Sequence, residues 1–143
     1  MEDVRYDSAL LNRAPAYLGE ISMIGYVTLG SNDLPRAFAF YDALLAELGA
    51  RRTFDSENFV AWSVKRGPAI AITKPHNGEP ATVGNGVMVA LAMKSTADVD
   101  RLYAKAISLG ATDEGPAGLR GETFYAGYFR DLDGNKLCAF FIG

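Results

Sequence analysis

The chain holds one cysteine, Cys138, and one histidine, His76, in 143 residues. A single cysteine excludes an intrachain disulfide framework and fits a reducing compartment. The histidine falls in Lys74 to Gly84, a stretch rich in Pro, Gly and Asn, where an exposed loop residue is expected. No apolar run approaches the roughly 20 residues needed to cross a bilayer. The first residues, Met-Glu-Asp-Val-Arg, lack a hydrophobic secretory core. A cytoplasmic location is the expectation. Basic clusters are also missing: 14 Lys and Arg are scattered against 17 Asp and Glu, for a net charge of −3. That balance excludes a nucleic-acid footprint.

A hydrophobic share of 49% and a charged share of 22% describe an ordinary globular chain. The length suits one domain, or two half-domains sharing a core. The sequence favours the second form, because Met23–Ala50 returns as Gly86–Ala111. Tyr26-Val27-Thr28-Leu29 lies over Met88-Val89-Ala90-Leu91, and Tyr41 lies over Tyr103, both at an offset of 62 residues. Leu48-Gly49-Ala50 lies over Leu109-Gly110-Ala111 at 61. A strand-helix unit repeated at nearly constant offset indicates two copies of one module.

Ile24–Leu29 has the β-branched and aromatic content of a strand. Asn32 or Asp33 caps the helix that follows, with Pro35 in its first turn. Leu34, Ala37, Phe38, Tyr41, Leu44, Leu45 and Leu48 then recur at spacings of three and four, which makes one apolar face. Three strands are expected at Arg51–Phe54, Phe59–Val64 and Ala69–Thr73. The second module runs from a strand at Gly86–Met93 to a helix capped by Ser95 or Thr96. A loop over Gly115–Gly121 leads to strands at Phe124–Arg130 and Lys136–Phe141, joined by the turn Asp131-Leu132-Asp133-Gly134-Asn135. Phe124-x-Ala126 echoes Phe59-x-Ala61 at 65, and the longer hairpin then sets Cys138 over Ala71 at 67. Residues 1–22 are expected to form an arm outside the fold, with Met23 as an alternative start. Residues 23–143 then form the single folded domain.

These residues resemble the vicinal-oxygen-chelate superfamily, the glyoxalase, bleomycin-resistance and extradiol dioxygenase group. The marks are Val27-x-Leu29, Asn32-Asp33-Leu34, Ala39-Phe40-Tyr41, Gly86-Val87-x-Val89-Ala90 and the terminal Phe129-Arg130-Asp131-x-Asp133-Gly134-Asn135-x-Leu137. In the last, Leu132 replaces the family's proline. The resemblance implies an α+β fold of two βαβββ modules, residues ~23–74 and ~86–142, with curved mixed sheets around a cavity. It also implies a homodimer. The family's metal-holding positions fall on Tyr26, Ala71, Met88 and Cys138, the same four that the internal repeat pairs.

None of the four supplies an imidazole or carboxylate, and a divalent ion wants several such donors. Asp131 and Asp133 lack the later ligands of a calcium loop and read as turn residues. No metal and no cofactor are therefore expected. Strand alternation turns Tyr26, Thr28, Met88, Ala90, Cys138 and Phe140 to the cavity. Ala71 joins them, and the aromatics Trp62, Tyr125 and Tyr128 complete the expected lining. Arg130 and Arg120 read as solvated surface arginines, or one of them would hold an anionic group on a ligand. Cys138 has no base beside it and reads as an inert buried thiol. The expected function is metal-free binding of a small aromatic or amphipathic molecule. The alternative is a lactoylglutathione lyase-like superfamily lyase or isomerase, with either a metal-independent site in which Tyr26 acts as general acid or a non-standard site with its ligands at other positions.

Overall fold

The computed structural model describes residues 23–65 and 67–143. The expected N-terminal arm, residues 1–22, lies outside the described residues.

The first module is β1 (Tyr26–Gly30), α1 (Leu34–Ala46), β2 (Arg51–Asp55), β3 (Phe59–Ser63) and β4 (Ala69–Thr73). The second is β5 (Val89–Ala92), α2 (Thr96–Ser108), β6 (Thr112–Leu119), β7 (Phe124–Arg130) and β8 (Lys136–Ile142). Each module forms one mixed four-stranded sheet, in the orders β1-β4-β3-β2 and β5-β8-β7-β6. In each, the first strand runs parallel to the last and the other pairings are antiparallel. The register reproduces the sequence repeat: Thr28 pairs with Ala71 in one sheet, and Ala90 pairs with Cys138 in the other.

Both helices begin and end as their sequences dictate. Asp33 accepts the Arg36 backbone N–H at 3.2 Å, and Ser95 accepts that of Asp98 at 3.1 Å, so each cap satisfies an amide with no helical partner. Gly49 and Gly110 follow the helices at φ +73° and +98°, a left-handed stop that costs any other residue strain. Each helix lays its apolar stripe on its own sheet, and α1 touches α2. One continuous core results. Leu44 and Leu45 of α1, Val99 and Leu102 of α2, Val60 and Ile72 of the first sheet, and Phe129 and Leu137 of the second all join it. A buried Leu or Val of this kind contributes about 1.5–3 kcal/mol.

The hairpin between β7 and β8 fastens the second module to the first. The Tyr41 hydroxyl donates to Asp131 at 2.6 Å inside the core. The Asn135 amide donates to the Gly30 carbonyl at 3.0 Å, and Arg36 donates to that of Leu132 at 3.2 Å. Arg101 of α2 reaches Glu47, just beyond α1, at 3.2 Å.

Two features differ from the sequence reading. The expected loop at Gly115–Gly121 is largely strand: β6 runs through Gly115 and Pro116 to Leu119, with register shifts between Asp113 and Gly118. Gly115 has φ +148° at this irregular stretch, so the glycine that signals a loop instead permits a bulge. The strand expected from Gly86 begins at Val89, which leaves Met88 just ahead of it.

Candidate ligand-binding faces

Alternation gives each sheet a helix side and an open side. On the first sheet, Val27, Leu29, Val60, Trp62, Ile70 and Ile72 belong to the helix-side core. Tyr26, Thr28, Phe59, Ala61, Ala69 and Ala71 therefore take the open side, and Ala71 pairs with both Thr28 and Ala61. The open side is aromatic. Tyr26 meets Phe59 edge to face with centroids 6.3 Å apart, and Phe59 meets Phe54 at 5.6 Å. Tyr26 is 63% exposed and Phe54 57% exposed, so water covers this cluster in the single chain.

On the second sheet, Val89, Leu91, Phe129, Leu137 and Ala139 face the helix. The open side carries Ala90, Phe124, Ala126, Tyr128, Cys138 and Phe140. Tyr128 pairs with Cys138, and Phe124 stacks on Phe140 at 5.6 Å with planes 17° apart. Cys138 is buried, and that burial pushes its thiol pKa up. A raised thiol pKa makes a poor nucleophile.

The structure thus brings Tyr26, Thr28 and Ala71 together on one sheet, and Tyr128, Cys138 and Phe140 on the other. Met88, 41% exposed, leads into β5. No strand pairing joins the two groups.

Two expected lining residues belong elsewhere. Trp62 packs against Phe38 and Tyr41 of α1 at 6.1 and 5.7 Å, and its indole N–H donates to Asp42 at 2.8 Å. It is a core residue on the helix side, sharing its parity with Val60. Tyr125 also turns to the helix side, where its hydroxyl donates to Asp100 of α2. That acceptor raises the Tyr125 pKa. Arg130 is no free anion holder either: it donates to Glu114 at 2.6 Å and to the Gly134 carbonyl at 2.9 Å. His76 is exposed in the connector.

Sequence reasoning missed a recess of about 470 Å³ at the start of α1, walled by Asn32, Asp33, Asn58, Lys74, Glu79 and three prolines. The Asn32 side chain shapes it by donating to the Ala81 carbonyl at 3.0 Å and accepting its N–H at 2.7 Å. None of the expected lining residues borders it.

Metal-holding chemistry needs converging carboxylates or imidazoles. Among the described residues no three His, Cys, Asp or Glu side chains group to hold an ion. At the four positions that the resemblance selects stand a phenol, a methyl group, a thioether and a buried thiol, a set that does not fit a divalent ion.

Residues 23–139 match the Glyoxalase/Bleomycin resistance protein/Dioxygenase superfamily. The chain belongs to that superfamily. A glyoxalase/bleomycin resistance protein from Albidiferax ferrireducens T118 superimposes with a TM-score of 0.79 at 38% identity, over 85% of this chain and 100% of that one. The fold is also that of two more distant solved structures. One is a glyoxalase/bleomycin resistance protein/dioxygenase family enzyme from Burkholderia phytofirmans PsJN (TM-score 0.68, 18% identity, 83% and 98% covered). The other is a lactoylglutathione lyase from Agrobacterium tumefaciens (0.64, 21%, 85% and 95%). No curated protein matches the chain. Among the described residues, no helix of this superfamily member is long and apolar enough to cross a membrane.

Proposed function

We propose that the chain binds small aromatic or amphipathic molecules without a metal, on the open faces of its two sheets, and that a second copy closes over them in a homodimer. The observation that carries this reading is the pairing of two features on those faces. Aromatic rings are displayed there, with Tyr26, Phe54 and Phe59 on one sheet and Phe124, Tyr128 and Phe140 on the other. The family's ion-holding positions on the same faces carry Tyr26, Ala71, Met88 and Cys138.

Aromatic walls with a few polar tips suit planar ligands, which lose little conformational freedom when they stack. Exposure supports the dimer. Tyr26, Phe54, Met88 and Ile142 leave large apolar surface in water in the single chain, a feature that marks interaction surfaces.

A thermal-shift series tests the reading, because a ligand that binds only the native state raises the melting temperature with concentration. Planar aromatic ligands are expected to raise it, while zinc, nickel and manganese leave it unchanged. Stabilisation by a divalent ion at one equivalent, with none by aromatic ligands, would overturn the proposal.

A further inference from the structure

Two cations converge on Tyr128. The Lys136 ammonium lies 5.6 Å and the Arg120 guanidinium 5.7 Å from its ring centroid. They arrive from opposite flanks: Lys136 stands on β8, and Arg120 just past β6, the two strands beside β7.

Arg120 is seated. Its guanidinium donates to the Pro116 carbonyl at 2.6 Å and to its neighbour Leu119 at 3.4 Å, while its own backbone N–H donates to Phe124 at 2.6 Å. The seat exists because two neighbours lack a Cβ. A Cβ on Gly115 would stand 3.3 Å from both the guanidinium and the Tyr128 ring, and one on Gly118 would stand 3.2 Å from the guanidinium. Backbone carbonyls and a ring face orient a guanidinium without cancelling its charge, and its remaining N–H groups stay free to donate.

Among the described residues, no carboxylate pairs with Arg120 or Lys136. By contrast, Arg36, Arg52, Arg101 and Arg130 each have an acidic partner. Among the described residues Arg51, Lys65, Lys74, Lys94 and Lys105 also pair with no carboxylate, so Arg120 and Lys136 stand apart by meeting at one ring. Phe140 lies two residues along β8 from Cys138, the partner of Tyr128, and on the same side. That places a stacking wall roughly 7 Å from the tyrosine, about the length of a two-ring aromatic.

We propose that the ligand of the second sheet's open face carries a carboxylate, which Arg120 and Lys136 hold at Tyr128 while the aromatic body lies against Phe124 and Phe140. This inference rests on the ligand-binding reading above and adds the ligand's charge. A planar carboxylate matches the guanidinium fork, and a charge-assisted pair of this kind is stronger than a neutral hydrogen bond.

The experiment compares 2-naphthoate with 2-naphthamide by titration calorimetry on the full chain at low salt. The two have the same rings and differ in charge. Naphthoate is expected to bind about tenfold more tightly, with the preference shrinking as salt rises. Arg120→Gln and Lys136→Gln should each bring the two affinities close together. Equal affinity of both ligands for the wild-type protein would overturn the carboxylate site and leave the binding face standing. A preference that survives both substitutions would also overturn it. Failure of both ligands to bind folded protein would overturn both readings.

Discussion

The Tyr41 hydroxyl donates to the Asp131 carboxylate at 2.6 Å across a sequence separation of 90 residues, between the first module's helix and the second module's hairpin. Asp131 is 4% exposed and its oxygens also accept the N–H groups of Asp133 and Asn135 and the Asn135 amide. One carboxylate therefore shapes its own turn and ties the two halves together.

Replacing it should be costly. Asp131→Ala leaves a buried phenol and two turn amides without an acceptor, and is expected to lose about 2–4 kcal/mol. Urea unfolding with an unchanged m-value is the measurement. A loss below about 0.5 kcal/mol, the size of an ordinary surface substitution, would mean that the hairpin does not fasten the modules.

The same pair sets an alkaline limit. Burial, then the charge and hydrogen bond of Asp131, raise the Tyr41 pKa well above the ordinary value. A group whose pKa is raised on folding contributes stability that is complete below its unfolded pKa and lost above it. For tyrosine that window opens near pH 10. The wild-type melting temperature should fall more steeply above about pH 10 than that of Tyr41→Phe, which has no proton to lose there. Parallel curves for the two proteins would contradict this.

Trp62 is the sole tryptophan and reports on the core. At 2% exposed, with its indole N–H on Asp42, it should resist acrylamide quenching in the native protein and become quenchable on unfolding. Trp62→Phe gives up that hydrogen bond and part of the packing on Phe38 and Tyr41, for about 1–3 kcal/mol, without touching the open faces. Native fluorescence as quenchable as that of free indole would return Trp62 to a solvent-facing surface.

Cys138 should be inert. At 1% exposed and with burial raising its pKa, it is expected to label with a disulfide reagent at pH 8 only as fast as the protein opens, and at once in denaturant. Rapid stoichiometric labelling of folded protein would revive it as a nucleophile.

Much of the fold was legible because its signals are local. Asp33 and Ser95 cap where the helices start, and the offset between Thr28 and Ala90 is realised in the strand pairing. β6 was not legible, since Gly115, Pro116 and Gly118 carry the composition of a loop while the strand tolerates them through register shifts beside β7. The Phe59/Phe124 echo at 65 is also two residues off the register. Ala61 pairs with Ala71 and Tyr128 with Cys138, which sets that strand at an offset of 67.

For the site, alternation gives two sets of residues but not which set meets the helix. The burial of Val60 and Phe129 in the structure decides it, and parity with them sends Trp62 to the core and Tyr125 to the helix side. The contact between Asp131 and Tyr41 had no sequence signal, because turn chemistry explains the aspartate without its distant partner. The seat of Arg120 was equally hidden, since it depends on glycines that read as loop.

Elemental analysis of the untagged protein, purified without chelator and titrated with zinc and nickel, bears most directly on metal-free binding at Tyr26, Ala71, Met88 and Cys138. The expected result is metal far below one ion per chain, both as purified and after titration and desalting. A stoichiometric ion that is lost on substituting Tyr26 or Cys138 would contradict it.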